Sequence, residues 1–244
     1  MDSYLYINVH SFVMDIKTEI VLRFINNEIT STPVLLNSKL NYKNVKFMHR
    51  NEFYELKKYI DDFLNGDILN RYFILPGLRA VGKTTLLYQI YEYLLKEKNI
   101  PQNQILYLSC DMLNNRLDFK ILDVVESFLN YYHNSNLQFV DKKIFLLIDE
   151  SQNDSNWALS GKKIYDLSNN IFTIFTASSA LDFKFNADSA VRLLKRNINP
   201  LTYSHYLKLK YDFNTYELSD SLYEALFTGD VENAVECERR VIPQ

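Results

Sequence analysis

Short runs of apolar residues alternate along this chain with longer stretches in which apolar positions recur every three or four residues. The first pattern is typical of strands that are buried on both faces, and the second of helices that pack one side against a sheet. The strand-like runs lie at residues 71–75, 105–109, 143–148, 171–176 and 197–200. Because parallel strands need a crossover connection, strands that alternate with helices indicate an α/β fold with a mainly parallel sheet.

Helix-like stretches fill the intervals between these runs. Ahead of the first strand, residues 51–65 predict an amphipathic helix, with one apolar face made of Phe53, Leu56, Tyr59, Ile60 and Phe63. Further helices are predicted after the strands, at residues 83–96, 119–132, 162–169 and 187–194. The sequence therefore predicts a three-layer sandwich, with the sheet between two layers of helices.

The two ends of the chain follow different patterns. A short helix is expected at 15–27, followed by a loop at 30–44, because that stretch is polar and contains Pro33. Residues 211–238 hold eight acidic residues and no Lys or Arg. Two short helices are expected in this part of the chain, at 219–227 and 231–240, with a break at Gly229 and Asp230. We expect three parts: an N-terminal segment of unassigned structure (1–45), an α/β domain (46–210) and a short helical acidic C-terminal arm (211–244).

Composition places the chain among ordinary globular proteins. Of its 244 residues, 47% are hydrophobic and 23% are charged, and a net charge of −3 does not point to nucleic acid or an anionic membrane as the main partner. The two cysteines, Cys110 and Cys237, do not indicate a disulfide framework or a zinc site. No apolar run approaches the ~18–20 residues of a membrane helix and no signal-peptide pattern is visible, so we expect a cytoplasmic protein.

The segment Gly77-Leu-Arg-Ala-Val-Gly82-Lys83-Thr84 fits the pattern G-x-x-x-x-G-K-[ST]. The glycines of such a loop let backbone N–H groups turn toward phosphate oxygens, and the helix that follows points its positive end at the same anion. Lys83 would reach the β- and γ-phosphates, and the hydroxyl of Thr84 would ligate Mg²⁺. Because a predicted strand precedes the segment and a predicted helix follows it, we expect a phosphate-binding loop rather than a chance match.

A second candidate is Ile144-Phe-Leu-Leu-Ile-Asp149-Glu150, an apolar strand that ends in two acids. Folds of the α/β class place their ligand chemistry at the carboxyl ends of strands. Beside a phosphate loop, Asp149 would hold the Mg²⁺ ion and Glu150 would polarise the water that attacks the γ-phosphate. The alternative is a strand that simply ends in a charged turn.

Other polar positions are weaker candidates. The stretch Thr176-Ala-Ser178-Ser179 closes the fourth predicted strand, where a small hydroxyl could contact the γ-phosphate or the attacking water, although serine is also favoured in ordinary turns. Arg192 and Arg196 could neutralise charge in the transition state, from this chain or a neighbouring subunit, or belong to a solvated basic face. Arg79 lies inside the loop itself.

Together these pieces resemble the AAA+-like P-loop ATPases of archaea and bacteria, which are related to signal-transducing NTPases with numerous domains. The matching stretches lie within residues 47–207 and read RYFILPGLRAVGKTTLLYQI, ILYLSCD, IFLLIDESQNDSNWALSGKKIYDLSNN, IFTIFTASSALDF and RLLKRNINPLTYSHYL. The last stretch contains NPLTYSHYL, which looks like the family's signature of proline, leucine, serine or threonine, three variable residues, an aromatic residue and leucine. Members commonly continue into a further C-terminal domain, so the resemblance implies a shortened C-terminal part here.

The resemblance implies the strand order 5-1-4-3-2, ATP as the nucleotide and Mg²⁺ as its cofactor. The catalytic residues expected are Glu150 as the base, Ser178 or its neighbour Ser179 as the sensor, and Arg192. The metal-binding residues expected are Thr84 and Asp149. The nucleotide-binding residues expected are Gly77, Arg79, Ala80, Val81, Gly82, Lys83, Thr84, Thr85 and, from a segment that looks like the family's pre-domain helix, Arg50.

The function expected from the sequence is ATP binding with slow Mg²⁺-dependent hydrolysis, which serves as a molecular switch or motor. The partners expected are ATP, an unidentified protein and further copies of the chain in a homo-oligomer. The alternative is a nucleotide-stabilised protein-interaction module with little or no hydrolysis, which recognises its partner through the acidic arm. A role on DNA through the basic block at residues 191–210 is a third hypothesis, which the net acidity disfavours.

Overall fold

The computed structural model describes residues 2–42, 45–111, 113, 119–178 and 193–201. The expected acidic arm at 211–244 lies outside these residues, as does most of the helix predicted at 187–194. Among the described residues, no helix combines the length and the apolarity needed to cross a membrane.

A single long helix, α1 (Asp2–Leu40), forms the start of the described chain. The prediction of a loop at 30–44 was therefore wrong for residues 30–40. Buried apolar side chains recur along the second half of the helix with helical spacing, at Val21, Ile25, Ile29, Leu36 and Leu40. Burial of this stripe stabilises the helix far beyond the short segment that was expected.

Pro33 lies inside α1 without ending it, and a distant side chain explains why. Proline has no N–H, so the carbonyl oxygen of Ile29, four residues earlier, loses its helical donor. The carboxamide of Gln102 donates a hydrogen bond to that oxygen through Nε2. The loop prediction failed here because the replacement donor lies 73 residues away in the sequence.

A short hairpin connects α1 to the next helix. Its strands β1 (Asn41–Tyr42) and β2 (Val45–Lys46) pair antiparallel. The helix α2 (Asn51–Leu64) follows, close to its predicted bounds of 51–65. It buries four residues of the predicted apolar face, Phe53, Leu56, Ile60 and Phe63, whereas the fifth, Tyr59, is partly exposed.

Five parallel strands form the central sheet. They are β3 (Tyr72–Gly77), β4 (Ile105–Ser109), β5 (Ile144–Asp149), β6 (Ile171–Ser178) and β7 (Leu194–Lys195). Their order across the sheet is β4-β5-β6-β3-β7, and every neighbouring pair is parallel. If the five strands of this sheet are numbered 1 to 5 in chain order and read from the β7 edge, the order is 5-1-4-3-2. The expected topology is therefore confirmed.

The fifth strand begins three residues before its predicted position at 197–200, because the pairing with β3 starts earlier. Backbone hydrogen bonds then continue past the strand. The N–H of Arg196 donates to the oxygen of Ile74 at 3.0 Å, and the N–H of Ile198 donates to the oxygen of Pro76 at 2.7 Å. The chain after β7 thus runs beside β3 up to the edge where the predicted phosphate loop begins.

Helices cover both faces of the sheet. On one face, α2 packs beside α3 (Lys83–Glu92), which continues as a π-helical turn at Tyr93–Glu97. On the other face lie α4 (Ile121–His133) and α5 (Trp157–Leu167). The predicted start of α5 at 162 was five residues too late. The expected three-layer α/β sandwich is therefore confirmed.

The long helix α1 packs against α3, α4 and the outer strand β4. Its residues Val21, Ile25 and Ile29 join the hydrophobic cluster on the α4 face, whereas Leu36 and Leu40 join the cluster on the α3 face. The helix therefore crosses from one face to the other beside β4. It covers a sheet edge that would otherwise be open to pairing with other chains.

The close approach of α5 to β3 generates a first prediction. A methyl group on Gly161 would lie 2.6 Å from Cζ and 2.8 Å from Cε2 of Tyr72. We expect Gly161→Ala to lower the free energy of unfolding by about 1–3 kcal/mol, because the ring must move within a packed interior. In a Tyr72→Val background the obstacle is gone, and the same change should stabilise by up to about 1 kcal/mol through helix propensity. Denaturant unfolding of the four proteins measures both effects, and stabilisation by Gly161→Ala alone would contradict this packing.

A second prediction concerns Glu28, which lies on α1 with 8% of its surface exposed. Burial raises the pKa of Glu28 from 4.5 to about 7. The folded protein then binds a proton that the unfolded chain has released, so this contribution to stability is present below pH 4.5 and lost as the pH rises through about 7. We expect Glu28→Gln to stabilise the protein at pH 8, by up to roughly 3 kcal/mol, and to have little effect at pH 4. Unfolding across this pH range measures the difference. The exposed Glu19→Gln on the same helix is the control, and an equal pH dependence in both variants would contradict the prediction.

Candidate functional site

The carboxyl ends of three neighbouring strands bring the predicted site residues to one edge of the sheet. Gly77 ends β3, Asp149 ends β5, and Ser178 ends β6, which lies between them. Gly77 and Ser178 are paired residues in the parallel register. The loop 78–82 leaves this edge and α3 begins directly after it, so the positive end of the helix also lies here.

The loop contains tight backbone turns. Gly82 has φ 96° and precedes the first turn of α3, where its carbonyl oxygen accepts a hydrogen bond from the N–H of Leu86 at 3.0 Å. Ala80 has φ 62°, in a region that residues with a side chain rarely occupy. A Cβ on Gly77 would overlap the carbonyl oxygen of Ile198, so only glycine fits where the loop leaves the sheet. These turns give the loop the curved backbone that a phosphate cradle requires.

The ammonium group of Lys83 lies inside this loop, and the residue is 4% exposed. Its Nζ donates hydrogen bonds to the carbonyl oxygens of Gly77 at 3.0 Å and Leu78 at 2.9 Å. It also lies 4.0 Å from Oε1 of Glu150. These oxygens satisfy a charge that would be costly to bury without partners. A phosphate oxygen would be a stronger acceptor for the same donor, because it is itself charged.

Asp149 is buried and accepts hydrogen bonds from three hydroxyl groups on three different elements. Oγ1 of Thr84 at 2.7 Å and OH of Tyr107 at 3.2 Å donate to Oδ2, and Oγ1 of Thr176 donates to Oδ1. Burial, followed by the charge of Asp149, raises the pKa of Tyr107, which therefore keeps its proton and remains a donor. Because the donors are neutral, they satisfy the lone pairs of the carboxylate without cancelling its charge.

Thr84 and Asp149 suit a Mg²⁺ ion chemically. Mg²⁺ prefers oxygen ligands and is usually bound through one or two protein oxygens together with water and substrate phosphates. A hydroxyl and a carboxylate oxygen 2.7 Å apart, at the N-terminal end of a helix, match that donor set. No group of three or more His, Cys, Asp and Glu side chains in the described part of the chain could enclose a metal ion.

Glu150 follows Asp149 in a left-handed backbone conformation, with φ 51°. Its N–H donates to Oγ1 of Thr176 at 3.0 Å, and its Oε2 accepts a hydrogen bond from Nε2 of Gln152. Oε1 of Gln152 in turn accepts from the N–H of Ser178 at 3.2 Å. The turn therefore leaves the Glu150 carboxylate connected to the end of β6 on one side and close to Lys83 on the other.

Arg50 joins three segments that meet beside the loop. Its guanidinium donates to the carbonyl oxygens of Val81 at 2.5 Å and Asn199 at 2.9 Å. It also forms an ion pair with Glu52 at 3.1 Å. These contacts hold the loop against the chain that follows β7 and against the start of α2.

The remaining predicted loop residues lie around this core. Arg79 is exposed on the loop, and Val81 and Thr85 are partly exposed beside it. Two other predicted residues, Ser179 and Arg192, lie outside the described residues.

Arg196, the other arginine considered for charge neutralisation, contacts α2. Its Nε lies 3.2 Å from Oε2 of Glu55, and its Nη2 donates to OH of Tyr59 at 3.2 Å. These partners hold the Arg196 side chain on the α2 face of the domain.

Two residues that the sequence did not single out contribute to the site, Tyr107 and Gln152. A third, Thr176, was named only within the stretch 176–179, where Ser178 and Ser179 were the residues chosen. Thr176 and Ser178 lie two residues apart on a strand and so share a face, which could have identified Thr176 as an equally good candidate. Tyr107 gave no signal, because a tyrosine within an apolar strand has the pattern of a core residue. Gln152 lies so near Glu150 that its polarity alone could have suggested a contact.

Two uncharacterized proteins of the archaeon Methanocaldococcus jannaschii are similar to this chain in sequence. MJ1637 is 33% identical over 221 residues, which cover 91% of this chain and 43% of the relative. MJ1544 is 27% identical over 208 residues, which cover 84% of this chain and 41% of the relative. The chain therefore spans about two fifths of the length of each relative.

Two further comparisons concern structure and family. A solved structure of C. elegans PCH-2 is similar to 80% of this chain and 52% of its own, with a TM-score of 0.46 and 15% identity. The family model described as "AAA domain" matches residues 69–207, which include the loop, the strand that ends in Asp149 and all five strands of the sheet. Because this match covers more than half of the sequence, the chain belongs to the AAA domain family of nucleotide-binding P-loop NTPases.

Proposed function

We propose that this chain binds ATP with Mg²⁺ and hydrolyses it slowly, as a molecular switch or motor. The proposal rests on the meeting of Lys83, Thr84, Asp149 and Glu150 at one edge of the sheet, with Thr84 2.7 Å from Asp149 and Lys83 4.0 Å from Glu150. In phosphoryl transfer, the protein contributes mainly by positioning the reactants and by stabilising charge. These four side chains are suited to both tasks.

The loop and the start of α3 bind the phosphates in this proposal. Backbone N–H groups between Gly77 and Thr85, including those of Arg79, Ala80, Val81 and Gly82, surround the phosphate oxygens, and the helix dipole favours their negative charge. Lys83 exchanges its two carbonyl partners for oxygens of the β- and γ-phosphates. Arg50 holds the loop through Val81 and lies beside the nucleotide.

Thr84 and Asp149 hold the metal ion. Mg²⁺, when bound, neutralises negative charge on the phosphates. The hydroxyl of Thr84 and the carboxylate of Asp149 would hold the ion between the phosphates and the end of β5. Tyr107 and Thr176 keep that carboxylate in one orientation through their hydrogen bonds.

Glu150 acts as the base. A carboxylate can accept the proton of the attacking water only if it lies within hydrogen-bond reach of it, and the edge beside Lys83 is where the γ-phosphate would lie. Ser178, at the end of β6, senses the γ-phosphate. Arg192 neutralises charge in the transition state, either within the chain or from the next subunit of a homo-oligomer. The switch acts on a protein partner, in keeping with a net charge of −3.

The experiment that tests this function compares ATP binding and ATP turnover in the presence of Mg²⁺. We expect Lys83→Ala to weaken ATP binding at least tenfold, which corresponds to about 1.4 kcal/mol, because it removes the charged donor to the phosphates. We expect Glu150→Gln to bind ATP as the wild type does and to lose about 10²- to 10⁴-fold in kcat, because the base is removed without changing the shape of the site. Calorimetry and phosphate release measure the two quantities.

Exposed residues of the same types provide the controls, which are Lys142→Ala and Glu126→Gln. Both should bind and hydrolyse ATP as the wild type does. If ATP binds but no form of the protein hydrolyses it, the chain is a nucleotide-stabilised interaction module. If Lys83→Ala and Lys142→Ala weaken ATP binding equally, the assignment of residues 77–84 as a phosphate-binding loop is wrong.

The metal assignment can be tested separately at Thr84. We expect Thr84→Ala to raise the Mg²⁺ concentration needed for half-maximal ATP turnover at least tenfold, because the direct ligand is lost. Thr84→Ser keeps the hydroxyl and should restore the wild-type Mg²⁺ dependence. A Mg²⁺ titration at fixed ATP concentration measures this. If alanine and serine at this position behave alike, Thr84 is not a ligand of the ion.

A further inference from the structure

The residues directly after Glu150 form a single 3₁₀ turn, Ser151–Asn153, which is fixed to strand β6. Oγ of Ser151 donates to the carbonyl oxygen of Thr176 at 2.9 Å. Within the turn, the N–H of Asn153 donates to the oxygen of Glu150 at 3.1 Å. The backbone from which the Gln152 side chain projects is therefore anchored to the strand beside it.

The Gln152 carboxamide forms hydrogen bonds through both its nitrogen and its oxygen. Nε2 donates to Oε2 of Glu150, and Oε1 accepts from the backbone N–H of Ser178 at 3.2 Å. The chemistry of the partners fixes this orientation, because an ionised carboxylate only accepts hydrogen bonds and a backbone N–H only donates them. A glutamine is the side chain of this length that supplies one donor and one acceptor at once.

The Glu150 side chain is 21% exposed, and its other oxygen, Oε1, lies 4.0 Å from Nζ of Lys83, beyond hydrogen-bond distance. A base that changes rotamer loses its alignment with the attacking water, and a displacement of about 1 Å can cost on the order of 10²-fold in rate. The bond from Gln152 restrains one carboxylate oxygen. The hydrogen bond that Oε1 of Gln152 accepts from the N–H of Ser178 connects this restraint to the last residue of β6.

We propose that Gln152 is a positioning residue that holds the Glu150 carboxylate in place and connects it to the end of strand β6. Any movement of β6 at Ser178 would then move or release the base. This inference rests on the proposed hydrolysis of ATP for its effect on rate, whereas the bridge itself can be observed without any turnover.

Two variants remove the bridge in different ways. Gln152→Met keeps the length of the side chain and loses both hydrogen bonds. Gln152→Glu keeps an acceptor for Ser178 and replaces the donor with a charge that repels Glu150. The neighbouring Asn153→Ala is the matched control, because Nδ2 of Asn153 donates to Oδ1 of Asp111 rather than to Glu150.

The kinetic test separates positioning from folding and from binding. We expect both Gln152 variants to lower kcat by about 10- to 100-fold while KM and the Kd for ATP stay within about twofold, and Asn153→Ala to leave all three unchanged. Because Gln152 acts through Glu150, Gln152→Met should cost nothing further in a Glu150→Gln background. An additive loss in the double variant, or a change in ATP affinity equal to that in kcat, would overturn the positioning role.

A spectroscopic test distinguishes failure of this inference from failure of the proposed function. In ¹⁵N-labelled protein, Glu150→Gln should shift the side-chain amide signal of Gln152, and Gln152→Met should shift the backbone amide signal of Ser178. Asn153→Ala should shift neither. If both shifts occur but the wild type does not hydrolyse ATP, the bridge stands and the proposed function falls. If neither shift occurs, the bridge is overturned whether or not ATP is hydrolysed.

Discussion

A buried carboxylate at the end of β5 is the constraint around which the site is arranged. Asp149 is 4% exposed, and a charge so placed is costly unless hydrogen bonds replace the lost water. The bonds come from Thr84 at the start of α3, Tyr107 on β4 and Thr176 on β6. Satisfying one side chain thus fixes two strands and a helix relative to β5. The loss of any one donor would leave a buried charge short of a partner, which costs more than an ordinary hydrogen bond is worth.

The loop at residues 78–82 depends on a second arrangement, on the other side of β3. Gly77 allows the chain after β7 to pass directly against the loop, and Arg50 then bonds to Val81 and to Asn199 across that junction. The strand β7 has only two residues, yet the backbone bonds continue past it to Ile198. A short strand is sufficient here because the loop, the guanidinium and the sheet all hold the same segment. The shape of the loop is therefore set by residues far from it in sequence.

Much of this fold could be predicted from the sequence, because its strands are continuous apolar runs separated by helices of regular period. The order of the strands followed from the family resemblance and was confirmed. What could not be predicted depends on partners that are distant in sequence. Pro33 is tolerated inside α1 because Gln102 donates the hydrogen bond to the carbonyl oxygen of Ile29 that Pro33 cannot donate. No local sequence pattern indicates that contact. In the same way, Tyr107 has the pattern of a core residue, and only its neighbour on β5 gives its hydroxyl a role.

The contacts of Lys83 connect the two halves of the site. Its ammonium is held by the carbonyl oxygens of Gly77 and Leu78 and lies 4.0 Å from Glu150, so a single cation faces both the loop and the acid. A polyphosphate that drew Nζ toward itself would withdraw positive charge from beside Glu150. The carboxylate would then depend more on Gln152 for its position, since that amide is its other close polar partner in the described part of the chain. Binding at the loop would therefore reach the acid through the side chain of Lys83, whereas Gln152 holds the acid from the opposite side.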